Sequence, residues 1–300
     1  MLPISVLVPT RNSATLLPRH LDAMAQWLDL VQEVVVVDSL SKDGTLDLIK
    51  AGLRHPRLKI LSHPPGLYES WNHGIRRLSA KYCYISTVGD TISREGLQHL
   101  SEAAERLECD VVMSKPEFRA MDGSRAAAPF WPVEDIIQSL CITTPQKLSR
   151  WEFLTFAAAH AGHGLLGSSA SNLSRTAVMA AHPFPVDFGR AGDGIWALQN
   201  SCRLNWGVTP KICSTFLWHP DTTSQSEKNC QARASGEDRV LQETIEHELQ
   251  NRRLDRVTLA DLNIFALQEE MSGWLDCKRQ FDRARKGRFP WILNPRAWQT

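Results

Sequence analysis

The feature that most constrains the fold is an alternation of short apolar runs with helix-like segments over about the first 110 residues. Residues 34–37 are four consecutive valines, as in a strand that is buried on both faces of a parallel sheet. Between such runs, apolar residues recur at helical spacing, for example Leu17, Leu21 and Met24. This order predicts an α/β fold with a doubly wound, mostly parallel sheet and flanking helices.

The predicted elements follow from the apolar runs and from the turn residues that bound them. Strands are predicted near residues 4–8, 33–37, 58–61, 82–85 and 110–113. From residue 115 the alternation breaks, and residues 126–132 with Pro145 indicate a loop-rich insertion over the sheet edge. Strands resume near residues 169–173 and 212–218, with a helix that opens at Gly192 between them. Amphipathic helices beyond residue 236 predict a C-terminal helical extension.

Composition excludes several classes of protein. The 300 residues are 43% hydrophobic, which is enough for a substantial core, and 34 Lys and Arg nearly balance 33 Asp and Glu. We therefore expect no nucleic-acid partner and expect any anionic ligand to be held by local contacts. The seven cysteines are scattered and never spaced as CxxC, so we expect reduced thiols in a cytoplasmic protein. No signal peptide and no membrane span is predicted.

The C-terminal segment leaves two interpretations open. Basic residues beside tryptophans would dock on an anionic membrane surface, which would place the protein at the inner face of the membrane. The alternative is a solvated basic helix whose tail packs on the domain. The residues concerned are Lys278, Arg279, Arg283, Arg285, Lys286, Arg288, Trp291 and Trp298.

Polar residues follow three of the predicted strands, at the points where the strands end. They are Thr10 to Asn12, Asp38 and Asp90. The carboxyl ends of parallel strands share one edge of the sheet, where open α/β sheets bind ligands. A carboxylate beside bound phosphate is useful mainly when a divalent cation lies between them, because two anions repel. The pattern therefore points to a metal-bridged nucleotide diphosphate.

One common phosphate-binding motif is absent, since the chain contains no GxxxxGK[ST], which argues against a P-loop NTPase. The pattern GxGxxG occurs once, as GHGLLG at residues 162–167, but no predicted strand directly precedes it, so it lacks the context of a dinucleotide-binding motif.

Four segments occur in a distinctive order, namely ISVLVPTRN (4–12), VVVDS with KDGT (35–39 and 42–45), GLYESWNHGI (66–75) and VGD (88–90). Together they resemble family 2 glycosyltransferases of GT-A fold. The third segment and the VGD ending especially resemble members of bacterial polysaccharide biosynthesis. The resemblance covers residues 1–115 well and residues 165–225 more loosely. Each motif alone is weak, and their order and spacing together carry the resemblance.

The resemblance implies a set of nucleotide-binding residues. Pro9 and Thr10 would line the nucleoside pocket, and Asp38 would accept a hydrogen bond from the base, usually uracil in this family. The alternative for Asp38 is a carboxylate that caps the following loop. Asn72 would lie near the diphosphate or ribose, while His73 replaces a lysine of the family's helix. The full predicted set is Pro9, Thr10, Arg11, Asp38, Asn72, Thr87 and Gly89.

The resemblance also implies a divalent cation, Mn²⁺ or Mg²⁺, bound by Asp90 and His219. Asp90 ends a segment where the family often has Asp-x-Asp, of which only the last acid remains here. One carboxylate still binds a hard cation if diphosphate and water fill the other positions. The alternatives are a plain loop carboxylate for Asp90 and a hydrogen-bonded structural imidazole for His219.

The catalytic base implied by the resemblance is Asp193, which would take the proton of the acceptor hydroxyl. It stands where the family has a Glu-Asp pair, with Gly192 in place of the first acid. The other interpretation is an N-cap of the helix that follows, and both roles are compatible.

Together these observations predict an inverting, metal-assisted glycosyltransferase that moves a sugar from a nucleotide-diphosphate donor, with UDP favoured, to a glycan or lipid-linked acceptor. Residues 1–115 would bind the nucleotide-sugar, residues 116–225 the acceptor, and residues 226–300 would form the helical extension. The alternative is a non-catalytic GT-A-like scaffold module in a polysaccharide assembly complex, favoured by the reduced acidic motifs. A nucleotidyltransferase is disfavoured because no glycine-rich basic loop follows the first strand.

Overall fold

The computed structural model describes residues 1–126, 131–159, 166–218, 239–240 and 243–244. The strands of these residues are β1 (Ile4–Thr10), β2 (Glu33–Asp38), β3 (Leu58–Ser62), β4 (Tyr82–Ile85), β5 (Thr91–Ile92), β6 (Val111–Met113), β7 (Pro116–Ala120), β8 (Gln146–Leu148), β9 (Asn172–Arg175), β10 (Trp206–Val208) and β11 (Ser214–Trp218). The α-helices are α1 (Leu17–Ala25), α2 (Thr45–Gly52), α3 (Leu67–Ile75), α4 (Arg94–Leu107), α5 (Pro132–Ser139), α6 (Arg150–Ala159), α7 (Thr176–Ala181) and α8 (Gly192–Asn200).

Eight of the strands form one sheet in the order β3-β2-β1-β4-β9-β6-β10-β8. The half that carries the predicted nucleotide motifs, from β3 to β4, is parallel throughout. Strand β9 runs antiparallel between β4 and β6, and β8 is antiparallel at the far edge. A second sheet of three strands has the order β5-β11-β7. The predicted α/β fold with a mostly parallel sheet is confirmed.

Hydrophobic cores cover both faces of the large sheet, as the uninterrupted valines of β2 require. Val35 and Val37 belong to the core that includes α3 and α8, whereas Val34 and Val36 belong to the core on the other face. All four side chains are fully buried. Because successive strand residues point to opposite faces, a strand between two helical layers has no solvent face and needs apolar residues throughout.

Gly74 lets α3 lie close to the sheet. A Cβ atom at this position would lie 2.3 Å from Leu7 Cδ1 and 2.9 Å from Val37 Cγ2, closer than real contacts allow. Any larger residue would push α3 away from β1 and β2. Packing between the helix and the strands that carry the site thus explains the second glycine of the GLYESWNHGI segment.

The loop-rich insertion predicted at residues 126–132 with Pro145 lies mostly outside the described residues, but the chain around it holds helices and strands that were not predicted. The structure has β7, α5, β8 and α6 there, and α5 begins on Pro132, a residue suited to a first helical turn. The short strands escaped prediction because long-range pairing stabilises them. Strand β7, for example, aligns Glu117 with Thr215 of β11.

The described residues also test several other predictions. Helix α8 begins at Gly192 as predicted, whereas β5 and β10 were not predicted. No described helix has both the length and the apolar character to cross a bilayer. Among the described cysteines, Cys83, Cys109, Cys141 and Cys213 are free thiols. The predicted C-terminal extension and its basic segment lie outside the described residues, apart from 239–240 and 243–244.

A buried carboxylate ties together the amino-terminal ends of three strands. Glu33 is fully buried and accepts hydrogen bonds from Ser5 Oγ (2.6 Å), Lys59 Nζ (2.9 Å) and the Ser79 amide and hydroxyl. Burial alone would raise the pKa of Glu33, but these hydrogen bonds outweigh it and lower the pKa from 4.5 to about 2. Glu33 therefore stabilises the fold in its ionised form.

We predict that Glu33→Gln lowers the free energy of unfolding at pH 7 by about 2 kcal/mol. This is less than the full pKa shift of Glu33 would give, because Lys59 is half-exposed and solvent screens its charge. Since the folded-state pKa lies below the usual value, the loss should shrink as the pH falls from 4.5 towards 2. Urea unfolding at pH 7 and pH 3 measures it. The control is Glu105→Gln, which breaks an exposed ion pair with Lys81 and should cost about 0.5 kcal/mol or less. An equal loss at both pH values would contradict this role for Glu33.

Candidate active site

The strand ends meet as the sequence predicts. Strand β1 lies between β2 and β4, all three are parallel, and Thr10 is in register with Asp38. The Ser86 amide donates to the Leu7 carbonyl oxygen at 2.8 Å, which continues the pairing to the turn before Asp90. Thr10, Asp38 and the segment that ends at Asp90 therefore lie at one edge of the sheet. Pro9 is half-buried there, and Arg11 is exposed.

Asp38 is buried and holds the loop that follows β2. Its Oδ1 accepts from Thr10 Oγ1 at 3.0 Å and from the Ser41 hydroxyl, and its Oδ2 accepts from the Ser41 amide at 3.0 Å. The loop-capping role is thus present in the structure. An ionised carboxylate has about four acceptor positions, so these three bonds leave one on Oδ2 for a further donor.

The loops after β1 and β2 are joined by side-chain hydrogen bonds to the backbone. Asn12 has a φ of 47°, and its side-chain oxygen accepts from the Lys42 backbone amide at 2.9 Å. The backbone amide of Asn12 donates to Ser41 Oγ. Asp43 accepts from the Ala14 amide at 2.9 Å and from Thr45 at the start of α2. The Thr45 hydrogen bond contributes most to lowering the pKa of Asp43. These bonds fix the rim of the crevice above Thr10 and Asp38.

A tight turn joins β4 to Asp90. The Asp90 amide donates to the Thr87 carbonyl oxygen at 3.1 Å, and Gly89 has a φ of 108°, a conformation that favours glycine. The Thr87 hydroxyl contacts the Ser169 hydroxyl at 2.5 Å. The turn is thereby joined to the segment that leads into β9.

The side chain of Asp90 is 8% exposed and links three parts of the fold. Its Oδ2 accepts from Ser168 Oγ at 2.7 Å, and its Oδ1 accepts from the Leu217 amide of β11 at 3.1 Å. Burial raises the pKa of Asp90 from 3.8 to about 6, against the effect of these two hydrogen bonds. The neighbouring buried imidazole of His20 supplies no compensating charge at neutral pH, because burial lowers its pKa to about 4.

The described residues do not by themselves fit a resident divalent cation. Such a cation prefers six or more oxygen ligands, whereas Asp90 already directs both carboxylate oxygens to protein donors. Within the described ranges, no three His, Cys, Asp or Glu residues cluster in a way that could hold a metal. His219, the other predicted ligand, lies outside those ranges.

Helix α3 presents its predicted polar residues in two different settings. The Asn72 side chain is buried; its Nδ2 donates to the Phe184 carbonyl oxygen at 2.8 Å, and its Oδ1 accepts from the Phe184 amide at 2.9 Å. Asn72 therefore holds the segment before α8. The ring of His73 lies 5.1 Å from that of His63, and burial, together with His63, Arg77 and Arg76, lowers the pKa of His73. His73 is therefore mostly neutral at pH 7.

Asp193 is the second residue of α8, and Ala191 occupies the cap position. Its Oδ1 accepts from the Gly194 amide at 2.8 Å, and the residue is half-buried beside a cleft. A Cβ atom at Gly192 would lie 2.5 Å from the Tyr68 ring and 2.7 Å from the Pro185 carbonyl oxygen. The family's first acid at position 192 is thus incompatible with the present position of Tyr68.

Sequence reasoning missed the segment between α6 and β9 as part of the site. Ser168 and Ser169 hydrogen-bond to Asp90 and Thr87, and Asn172, the first residue of β9, lines the same cleft as Asp193. The signal that could have identified the segment is its run of small polar residues, Ser-Ser-Ala-Ser-Asn, directly before a strand.

We predict that Asp90→Asn becomes more stable relative to wild type as the pH rises from 4 to 7.5. The folded-state pKa of Asp90 lies above its usual value, so the carboxyl favours folding when protonated and loses this contribution as the pH passes 6. The full effect is at most about 3 kcal/mol. Urea unfolding at both pH values, with EDTA present, measures it, and exposed Asp47→Asn is the control. A difference that is independent of pH would show that Asp90 is not desolvated as described.

Comparison with known proteins agrees with this architecture. The family model described as glycosyl transferase family 2 matches residues 5–157, which include β1 to β4, Asp38 and Asp90. No curated protein gives a significant sequence match to the chain.

Solved structures of S. aureus TarS share the fold. The structure of TarS 1-349 with UDP has 17% sequence identity and a TM-score of 0.56, over 98% of this chain and 87% of that chain. The structure with UDP-GlcNAc has 18% sequence identity and a TM-score of 0.59, over 97% of this chain and 82% of that chain. A further structure of TarS 1-349 has 18% sequence identity and a TM-score of 0.57, over 98% of this chain and 87% of that chain. Because the family match spans just over half of the chain, this protein belongs to glycosyl transferase family 2 and is a glycosyltransferase of GT-A fold.

Proposed function

We propose that this enzyme transfers a sugar from a UDP-sugar to a glycan or lipid-linked acceptor in polysaccharide biosynthesis. The observation that carries the proposal is the family match over residues 5–157, which contains the strand ends where Thr10, Asp38 and Asp90 meet. The choice of UDP is supported by TarS, a structural neighbour that has been solved with UDP and with UDP-GlcNAc.

The uracil base would lie at the ends of β1 and β2. Thr10 and the Ser41 backbone hold the Asp38 carboxylate in one orientation, and the remaining acceptor position on Oδ2 suits the imide N–H of uracil. Pro9 would contact the nucleoside, and exposed Arg11 would offer a cation to the diphosphate. Thr87 and Gly89 lie in the turn where the diphosphate would pass, and Asn72 would hold the adjoining segment through Phe184.

Asp193 would act as the base. Its carboxylate would take the proton from the acceptor hydroxyl, and the acceptor oxygen would attack the anomeric carbon as the bond from that carbon to the diphosphate breaks. The products are the glycosylated acceptor, UDP and a protonated Asp193.

Finer features of the reaction stay predictions. They are inversion at the anomeric carbon, assistance by Mn²⁺ or Mg²⁺ at Asp90 and His219, a cytoplasmic location, and membrane contact through the basic C-terminus. We also propose the division into a nucleotide-sugar half over residues 1–115 and an acceptor half over residues 116–225, while the extension over residues 226–300 stays a prediction.

Thermal melting with nucleotides tests the proposed donor class. A ligand that binds only the folded state raises its stability, by about 2.7 kcal/mol at a concentration of one hundred Kd. We expect UDP to raise the melting temperature more than GDP, CDP or dTDP does. If a cation joins the site with the diphosphate, Mn²⁺ should enlarge the UDP shift while changing little alone. The absence of a shift with every nucleotide would contradict the proposal.

The role of Asp193 is tested by Asp193→Asn in an assay of UDP release from a UDP-sugar, with water in place of the unknown acceptor. We expect a fall in kcat of roughly 10²–10⁴-fold with an unchanged Kd for UDP. The matched control is Asp187→Asn, since Asp187 is an exposed acid six residues earlier in the chain. Equal rates for both variants would rule out Asp193 as base. Binding without any UDP release by wild type would favour the scaffold alternative.

A further inference from the structure

Helix α1 carries a polar side chain in the middle of its buried face. Leu17, His20 and Met24 recur at helical spacing, and each is at most 1% exposed. Leu17 and Met24 pack into the apolar core on one face of the large sheet. Packing alone would therefore favour an apolar residue at position 20 as well. The mechanism proposed above does not use His20.

The imidazole of His20 is costly to bury. Its Nδ1 has no hydrogen-bond partner among the described residues, and loss of solvent lowers its pKa from 6.5 to about 4. A buried polar group stabilises a fold only when its hydrogen bonds outweigh the lost contacts with water. A leucine of similar size would avoid this cost. Stability alone therefore does not explain a histidine at this position.

The His20 side chain reaches the turn that joins β4 to Asp90. Its Nε2 hydrogen-bonds to the Ser86 hydroxyl at 3.1 Å, and Ser86 is the first residue after β4 and is itself 1% exposed. The Asp90 backbone, at the other end of the turn, lies close enough to the ring to oppose part of the lowering of its pKa. One side chain of α1 thus adjoins both ends of the turn.

The N-terminal end of α1 approaches the same turn. A Cβ atom at Gly89 would lie 3.4 Å from Leu16 Cδ1, so the Leu16 side chain lies against the turn. Leu16 follows the loop after β1, which the backbone amides of Asn12 and Ala14 tie to the loop after β2. Helix α1 therefore joins the loop where the nucleoside would bind to the turn where the diphosphate would pass. This step rests on the proposed function.

We propose that His20 is a positioning residue that holds the turn of residues 86–90 in the geometry required for sugar transfer. It acts through Ser86 and contacts neither the donor nor the acceptor. A displacement of about 1 Å among the groups around a reacting centre can lower a rate about a hundredfold, and this turn carries Thr87, Gly89 and Asp90. His20 thus contributes to the rate of the reaction rather than to the stability of the fold.

His20→Leu separates this role from packing. The substitution keeps a side chain of similar size and removes the nitrogen that meets Ser86, so the melting temperature should stay the same or rise. In an assay of UDP release from UDP-glucose and UDP-N-acetylglucosamine, kcat should fall about tenfold or more. The Kd for UDP, measured by calorimetry, should change about threefold or less, because most of the contacts proposed for UDP lie outside the turn.

Two amide variants and one partner variant sharpen the test. The side-chain amide nitrogen of glutamine reaches about as far as Nε2 of histidine, whereas that of asparagine reaches only as far as Nδ1. His20→Gln should therefore keep kcat within about threefold of wild type, and His20→Asn should resemble His20→Leu. Ser86→Ala should also lower kcat, and its effect should not add to that of His20→Leu in the double variant.

The matched control is His99 of α4. Its Nε2 also meets a hydroxyl, that of Thr209, at 2.7 Å, but Thr209 follows β10 rather than β4. His99→Leu and His99→Gln should both keep the wild-type kcat.

Each other outcome overturns the proposal in a distinguishable way. A wild-type kcat in His20→Leu, or a fall that His20→Gln shares in full, would show that the contact with Ser86 has no part in the reaction. A melting temperature that falls together with kcat in both His20→Leu and Ser86→Ala would assign His20 to the fold alone. Wild type that neither binds UDP nor releases it from either sugar nucleotide would overturn the proposed function as well.

Discussion

Parallel pairing of β1 with β2 on one side and β4 on the other is the constraint on which the rest of the site depends. It brings three strand ends to one edge of the sheet, with Thr10 beside Asp38 and the turn to Asp90 one strand away. A strand in this position is covered on both faces, and Gly74 allows α3 to approach closely enough to provide that cover. The same packing that buries Leu7 and Val37 therefore positions the polar residues at the strand ends.

Asp90 connects this edge to the rest of the molecule. One carboxylate oxygen accepts from Ser168, which precedes β9, and the other accepts from the backbone of β11 in the small sheet. Burial makes the ionised form costly, since the pKa of Asp90 is raised to about 6. A bound cation would offset that cost, but it would have to compete with Ser168 and Leu217 for the carboxylate oxygens. The turn before Asp90 thus couples the carboxyl end of β4 to the segment that leads into β9.

The strength of local pattern decided which features could be predicted from sequence. Strands β1, β2 and β4 are marked by short, mostly apolar runs that end on polar residues, with Asp38 at the end of β2 and Asp90 after the turn that follows β4. Strands β5 and β10 have two and three residues, and too little local signal for prediction. Contacts made over long separations were not predictable either, since Asp90 meets Ser168 across 78 positions and Leu217 across 127. The conflict between Tyr68 and a side chain at position 192 likewise depends on packing between α3 and α8.

The central claim is that UDP binds across the carboxyl ends of β1, β2 and β4. Hydrogen exchange of the backbone amides, measured with and without UDP, tests it directly, because a bound ligand slows exchange where it covers or stabilises the chain. The account predicts protection concentrated in residues 9–14, 38–45 and 86–90, with little change at the opposite ends of the same strands near Glu33. Protection that is absent from these three segments while UDP is bound, or that lies mainly elsewhere, would contradict it.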